Sequence, residues 1–243
     1  MTSAIIQARL GSTRLPGKVL KNLNGKPLIE QIVNRLKYCK NIDNIVLATT
    51  TNVVDDKLVS WCEKNNVSCF RGDENNVLKR YYDAATQYKS DVIIRITADD
   101  PFKDPKVIDS VIDMLETENL DFAYNNNPPS FPEGLDTEVF TYSAIKQAAE
   151  TETTDFEKEH VTQYFYHNPQ IFKCKNLSYK ENVSHIRLTV DTEQDFELAS
   201  KLYSKLSPNG EMFFLEDVLA LIKKEPELLE VNKGVKRSAM YEK

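Results

Sequence analysis

Glycine is scarce in this chain, seven in 243 residues, and so are histidine (three), cysteine (four) and tryptophan (one). His160, His167 and His185 stand far apart without companion cysteines, which excludes the usual zinc-ligand spacings. Cys39, Cys62, Cys69 and Cys174 contain no C-x-x-C pair, so no disulfide framework is expected. Reduced, mostly buried thiols point to a cytoplasmic protein. No apolar run approaches the ~20 residues of a membrane span, and the N-terminus carries no signal-peptide pattern, so no membrane partner is expected. Cations are outnumbered, 31 Lys and Arg against 37 Asp and Glu, for a net charge of −6. That balance argues against nucleic acid as a partner; a phosphate ligand has to be met by a local cluster. G-x-S-x-G and other nucleophile signatures are missing, as are internal repeats.

What is present is a globular composition, 41% hydrophobic and 28% charged, in a chain long enough for one α/β domain with an insertion. Three of the seven glycines, Gly11, Gly17 and Gly25, fall within fifteen residues. They follow the apolar run Ala4-Ile5-Ile6, which reads as a buried strand, and are interleaved with Arg9, Arg14 and Lys18. Backbone N–H groups freed by glycine, with cations at a strand exit, describe a polyphosphate cradle. The segment is not a P-loop. Five residues rather than four separate Gly11 from Gly17, and Val19 stands where a Ser or Thr would hold magnesium. The bland alternative is a strand-to-helix connection with solvated cations.

The first 125 residues alternate strand and helix. Pro27 is expected to open a helix carrying Ile29, Ile32, Val33 and Leu36. Strands are expected at 44–49, 67–70 and 92–96, with helices between them and another from Asp104-Pro105. This pattern predicts a Rossmann-like, mostly parallel sheet covered by helices on both faces. The alternation breaks at Asn125–Pro129. Residues 126–184 read as an inserted α+β subdomain with a strand at 137–140 and helices at 142–150 and 155–167. Residues 1–125 and 185–225 form the nucleotide-binding core, to which a strand at 185–190 and the helix after Asp191 belong. A helix around 214–222 and a charged tail complete the chain.

Ligands of open α/β sheets bind outside the carboxyl ends of the strands. Asp99 follows the strand ending at Ile96, and Asp191 follows the one ending at Val190. Magnesium is commonly held by one or two carboxylates plus substrate phosphates, so this pair can supply what Val19 does not. Each also has a structural reading: Asp99 as a turn residue before Pro101, and Asp191 at a helix start where Thr192–Asp195 resembles a capping box.

The segment Ala8-Arg9-Leu10-Gly11-Ser12-Thr13-Arg14-Leu15-Pro16-Gly17-Lys18 is similar to the N-terminal motif of the CMP-sugar cytidylyltransferases. These include the 3-deoxy-manno-octulosonate and acylneuraminate enzymes. Phe70–Asp73 with Asn76–Tyr82, Arg95–Pro101, Pro132–Phe140, Glu159–Thr162 and Arg187–Thr192 extend the likeness, which is greatest to the spore-coat polysaccharide SpsF-type branch. The resemblance spans about residues 1 to 205. It implies the nucleotide-diphospho-sugar transferase fold, a dimerising insertion and transfer of CMP from CTP to an acidic sugar with release of pyrophosphate. By resemblance, Arg14 and Lys18 hold the triphosphate, and Asp99 and Asp191 hold Mg2+. Ala8, Arg9, Leu10, Gly11, Ser12, Arg71 and Thr97 face the nucleotide. Glu133, Asp136, Glu138, Lys158 and His160 are expected around the acceptor.

Two departures bear on the acceptor. Octulosonate enzymes usually carry Gln-Gly-Asp-Glu-Pro where this chain has Thr97-Ala98-Asp99-Asp100-Pro101. Lys158 stands where the SpsF-type branch usually has Arg, which forgoes bidentate recognition of an anion. Rival readings are a metal-dependent glycosyltransferase, for which an Asp-x-Asp pattern is missing, and a non-catalytic nucleotide-binding protein.

Overall fold

The computed structural model describes residues 1–151 and 153–236. In chain order the elements are β1 (Thr2–Gln7), the short hairpin β2 (Asn22–Leu23) and β3 (Lys26–Pro27), α1 (Leu28–Leu36), β4 (Asn44–Thr50), α2 (Asp56–Asn65), β5 (Ser68–Gly72), α3 (Val77–Gln87), β6 (Val92–Thr97) and α4 (Pro105–Thr117). Then come β7 (Phe122–Tyr124), β8 (Glu138–Thr141), α5 (Tyr142–Glu150), α6 (Asp155–His160), α7 (Gln163–His167), β9 (Cys174–Asn176), α8 (Glu193–Leu206) and α9 (Leu215–Lys224).

Seven strands form one sheet in the order β5-β4-β1-β6-β8-β7-β9. β5, β4, β1 and β6 are parallel neighbours, β8 runs antiparallel to both β6 and β7, and β9 is parallel to β7. The expected parallel sheet is therefore present. Segment 126–184 adds β8 and β9 to that same sheet.

Alternation along each strand builds two cores. Ile6, Leu47, Ile94, Ile96 and Val139 face the layer of α1, α2, α4, α8 and α9. Ile5, Val46, Ala48, Ile93, Phe122 and Phe140 face α3, α5 and α7. A two-residue period sends neighbours to opposite faces, which is why the parallel strands read as continuous apolar runs. Helix starts follow local chemistry. The Asp104 carboxylate accepts from the N–H groups of Lys106 and Val107, with Pro105 in the first turn. Thr192 and Asp195 form the expected capping box of α8.

Three local readings differ. Pro27 is the cap before α1 rather than its first residue. The helix expected over 155–167 is broken at Val161, whose φ of 46° and ψ of −64° cannot continue a helix. The expected strand at 185–190 makes only one bridge, Arg187 to Glu133, because its alternating residues pack into the first core without a neighbouring ladder. Beyond α9 lies a 3-10 turn, Pro226–Val231; the end of the charged tail falls outside the described residues.

Candidate functional site

The carboxyl ends of β1, β4, β5 and β6 share one rim because the four strands are parallel neighbours. A cleft of about 900 Å³ opens there. Segment 8–18 forms one wall. It is pinned from beneath by Asp55, which accepts from the Leu10 N–H at 2.8 Å and from the Thr50 hydroxyl. The loop closes on itself through Gly17 N–H to Leu10 carbonyl, 3.3 Å, with Gly17 at φ 69°, where a side chain is strained. Among the described residues, the N–H groups of Gly11, Ser12, Thr13 and Arg14 donate to no protein acceptor. Four successive donors facing no partner suit an anion.

Asp99 follows β6, and Asp191 directly precedes the capping box of α8. Both converge on one ammonium: Lys18 Nζ donates to Asp99 Oδ2 (3.1 Å), Asp191 Oδ1 (2.9 Å) and the Val190 carbonyl (2.8 Å). All three of its protons are thus in use. Burial works against the charge, but the two carboxylates outweigh it and hold the Lys18 pKa above its ordinary value. Burial likewise pushes the Asp99 carboxyl up, and Lys18 more than reverses this, leaving it below its ordinary value. Arg14 reaches Asp191 Oδ1 at 3.0 Å from the cleft rim.

Asp191 is held from behind. Arg187, buried, donates from Nη2 to Asp191 Oδ2 (3.0 Å), from Nε to Asp195 (2.9 Å) and from Nη1 to Glu133. Burial again opposes the charge, and these carboxylates raise the Arg187 pKa above its ordinary value. The adjoining Asp100 carboxylate accepts from Thr97 Oγ1 (2.8 Å) and Lys103 (2.9 Å).

The opposite wall is α6, with Lys158, Glu159 and His160 at the cleft. Below it, Arg95 donates to Glu138 Oε2 (2.5 Å), and Glu138 Oε1 accepts from Thr162 (2.9 Å) and Tyr166 (3.1 Å). Burial lowers the His160 pKa and Arg95 adds to this, against the opposing pull of Glu159.

Of the residues expected from sequence, Ala8, Arg9, Gly11, Ser12, Arg14, Lys18, Thr97, Asp99, Lys158, His160 and Asp191 line the one cleft. Leu10 is buried beneath the loop. Arg71 lies outside the lining, bonded to the Thr50 and Asn52 carbonyls and to Asp56. Glu133 and Glu138 are buried behind the walls, bracing Arg187 and Arg95. Asp136 lies beside Lys103, whose ammonium donates to the Asp136 carbonyl. Sequence reasoning missed Gln7, Asp73, Glu74, Asn76, Arg80 and Arg95 as lining residues. Asp73, Asn76, Arg80 and Arg95 lie within the family-like motifs, but nothing in a sequence aims their side chains.

Among the described residues no three His, Cys, Asp or Glu side chains gather as a metal cage. The donor set nonetheless fits magnesium: two hard carboxylates converge beside Lys18, and Asp99, with 29% of its side chain exposed, and Asp191 both line the open cleft. Such an ion completes its shell with waters and phosphate oxygens. No helix among the described residues is long and apolar enough to cross a membrane.

Residues 3–227 match the family model described as cytidylyltransferase. The chain is 34% identical to the spore coat polysaccharide biosynthesis protein SpsF of Bacillus subtilis, over 92% of this chain and 94% of that one. It is 31% identical to the 8-amino-3,8-dideoxy-manno-octulosonate cytidylyltransferase of Shewanella piezotolerans, over about half of each chain (49%). A cytidylyltransferase structure from Leptospira borgpetersenii superposes with a TM-score of 0.89 at 34% identity, covering 94% of this chain and 96% of that one.

Proposed function

Because this chain belongs to the cytidylyltransferase family, and is thus a CTP-using nucleotidyltransferase, we propose that it transfers CMP to an acidic sugar or a related acidic acceptor. Pyrophosphate is the other product, and the spore coat polysaccharide biosynthesis role of the SpsF relative favours surface polysaccharide as the destination. One observation carries the reading: Asp99, after β6, and Asp191, just before α8, converge on the Lys18 ammonium beside a run of unused backbone donors.

In this account the N–H groups of residues 11–14 and the Arg14 guanidinium receive the triphosphate, and Asp99 and Asp191 hold Mg2+. When bound there, the ion neutralises charge on the departing pyrophosphate. Lys18 keeps the two carboxylates together and is within reach of phosphate oxygens that enter beside them. Arg187 fixes the Asp191 rotamer from behind, so the carboxylate is preorganised before the ligands arrive. No protein nucleophile is required, since the acceptor hydroxyl itself attacks the α-phosphorus. The resemblance to the family's dimerising insertion adds a homodimer through segment 126–184 to this reading, which sedimentation would detect.

Incubation with each of CTP, UTP, ATP and GTP, Mg2+ and either 3-deoxy-manno-octulosonate or N-acetylneuraminate, followed by mass spectrometry, tests the proposal. A CMP-linked product with equimolar pyrophosphate is expected with CTP. Turnover of a nucleotide sugar, with no pyrophosphate from any triphosphate, would favour the glycosyltransferase reading instead.

A further inference from the structure

We propose that His160 is the catalytic base that takes the proton from the acceptor hydroxyl as its oxygen attacks the α-phosphorus. The inference rests on the transfer reaction proposed above. In the step, the acceptor O–H bond breaks and its proton passes to an imidazole nitrogen. A new O–Pα bond forms, the Pα–O bond to the β-phosphate breaks, and pyrophosphate leaves with that electron pair. His160 then returns the proton to solvent through the open cleft.

Four observations converge on this residue. His160 ends α6 and lines the same cleft as Lys18, Asp99 and Asp191, on the wall across from the triphosphate loop. Neither of its ring nitrogens has a hydrogen-bond partner among the described residues, whereas His167, on the next helix, is bonded to Glu157 at 3.1 Å. The ring is fixed without using those nitrogens: Phe156, one turn back, packs on it with centroids 4.5 Å apart. Finally, the backbone just after it is strained. Val161 is fully buried at φ 46° and ψ −64°, and the Thr162 N–H donates to the His160 carbonyl at 2.5 Å, a three-residue γ-turn. A β-branched residue in that conformation is costly and persists only where its surroundings enforce it. Here it ends α6 at His160 and aims the next residue, Thr162, down at Glu138.

The charges around the ring favour the neutral form that a base requires. Arg95 from β6 faces it, and Arg80 from α3, which packs on α6, lines the same cleft. Lys79 and Asp83 of α3 pair with each other, and Lys158 with Asp155. On its own helix Glu159 opposes Arg95, but burial and Arg95 prevail. The lowered pKa favours the uncharged imidazole, the form that accepts a proton. No other imidazole lines the cleft among the described residues.

The test compares wild type with His160→Gln, using CTP, Mg2+ and 3-deoxy-manno-octulosonate or N-acetylneuraminate, whichever wild type converts. In wild type, kcat/KM should fall about tenfold per pH unit below the lowered His160 pKa. His160→Gln should lose about 100-fold or more in kcat, keep KM for CTP within about twofold, and lack that acid limb. His167→Gln should retain both activity and limb. A His160→Gln enzyme with near wild-type kcat, or with the limb intact, would overturn the inference. Wild-type inactivity with every acid would instead overturn the transfer reaction on which it rests. An independent reading comes from imidazole NMR, since the chain has three histidines. His160 is expected to titrate below its ordinary value in the free protein. Titration at or above that value would also overturn the assignment.

Discussion

Lys18, Asp99 and Asp191 are interdependent, and each substitution has a distinct signature. Asp99→Asn and Asp191→Asn keep size and most hydrogen bonds, so the fold should persist by circular dichroism while turnover falls by about 100-fold or more. Lys18→Ala should weaken CTP binding by roughly 1.5–3 kcal/mol, read by calorimetry, if its ammonium meets a phosphate oxygen. It should also let the Asp99 pKa rise, because Lys18 is what offsets the burial of that carboxyl. Arg187 is a stability residue as well as a positioning one. Arg187→Met leaves Glu133, Asp191 and Asp195 without their shared cation, which should cost about 3–5 kcal/mol in urea unfolding. This network was illegible in the sequence. Glu133 was assigned to the acceptor because its motif matched, yet its carboxylate belongs to an arginine 54 positions away.

At the scale of elements, the N-terminal half was readable because each strand and helix carried its own period. Ile45–Ala48, the centre of β4, is a continuous apolar run since both faces are covered, and α4 announces itself through Asp104-Pro105 and its i, i+3, i+4 apolar face. The cleft loop was legible as a cradle from its glycines, but not its dependence on Asp55, forty-five residues from Leu10. Segment 185–190 misled because alternation marks one apolar face packed into a core, whether or not a strand ladder forms beside it. Gly134 shows how tightly that segment is packed. It sits at φ 101°, and a Cβ there would lie 2.7 Å from the Thr189 nitrogen and 2.9 Å from the Leu188 carbonyl carbon. Both are backbone atoms and cannot step aside. Gly134→Ala should therefore destabilise by at least about 1–3 kcal/mol in chemical denaturation, and should disturb the register that brings Asp191 to Lys18.

For the whole molecule, buried carboxyls pull stability in two directions with pH. Burial opposes the ionised Asp195, but Arg187 and Asn232 outweigh it and set its pKa below the ordinary value. Its contribution is present above the unfolded pKa and is lost as pH falls through the folded one. Asp136 behaves oppositely, because burial raises it from 3.8 to about 7. Between those values the native state keeps a proton that the unfolded chain has released, so this group makes stability fall as pH rises. Asp136→Asn should flatten the decline between pH 4 and 7 in thermal melts, whereas an unchanged slope would remove Asp136 as its source.

The account depends most on the cleft holding CTP through magnesium at Asp99 and Asp191. Calorimetric titration of the whole chain with CTP, with and without Mg2+, tests this most directly. Magnesium should tighten CTP at least about tenfold in wild type, an energy of about 1.4 kcal/mol, and should have no effect in Asp99→Asn or Asp191→Asn. Equal CTP affinity with and without magnesium in wild type would contradict the two-carboxylate site.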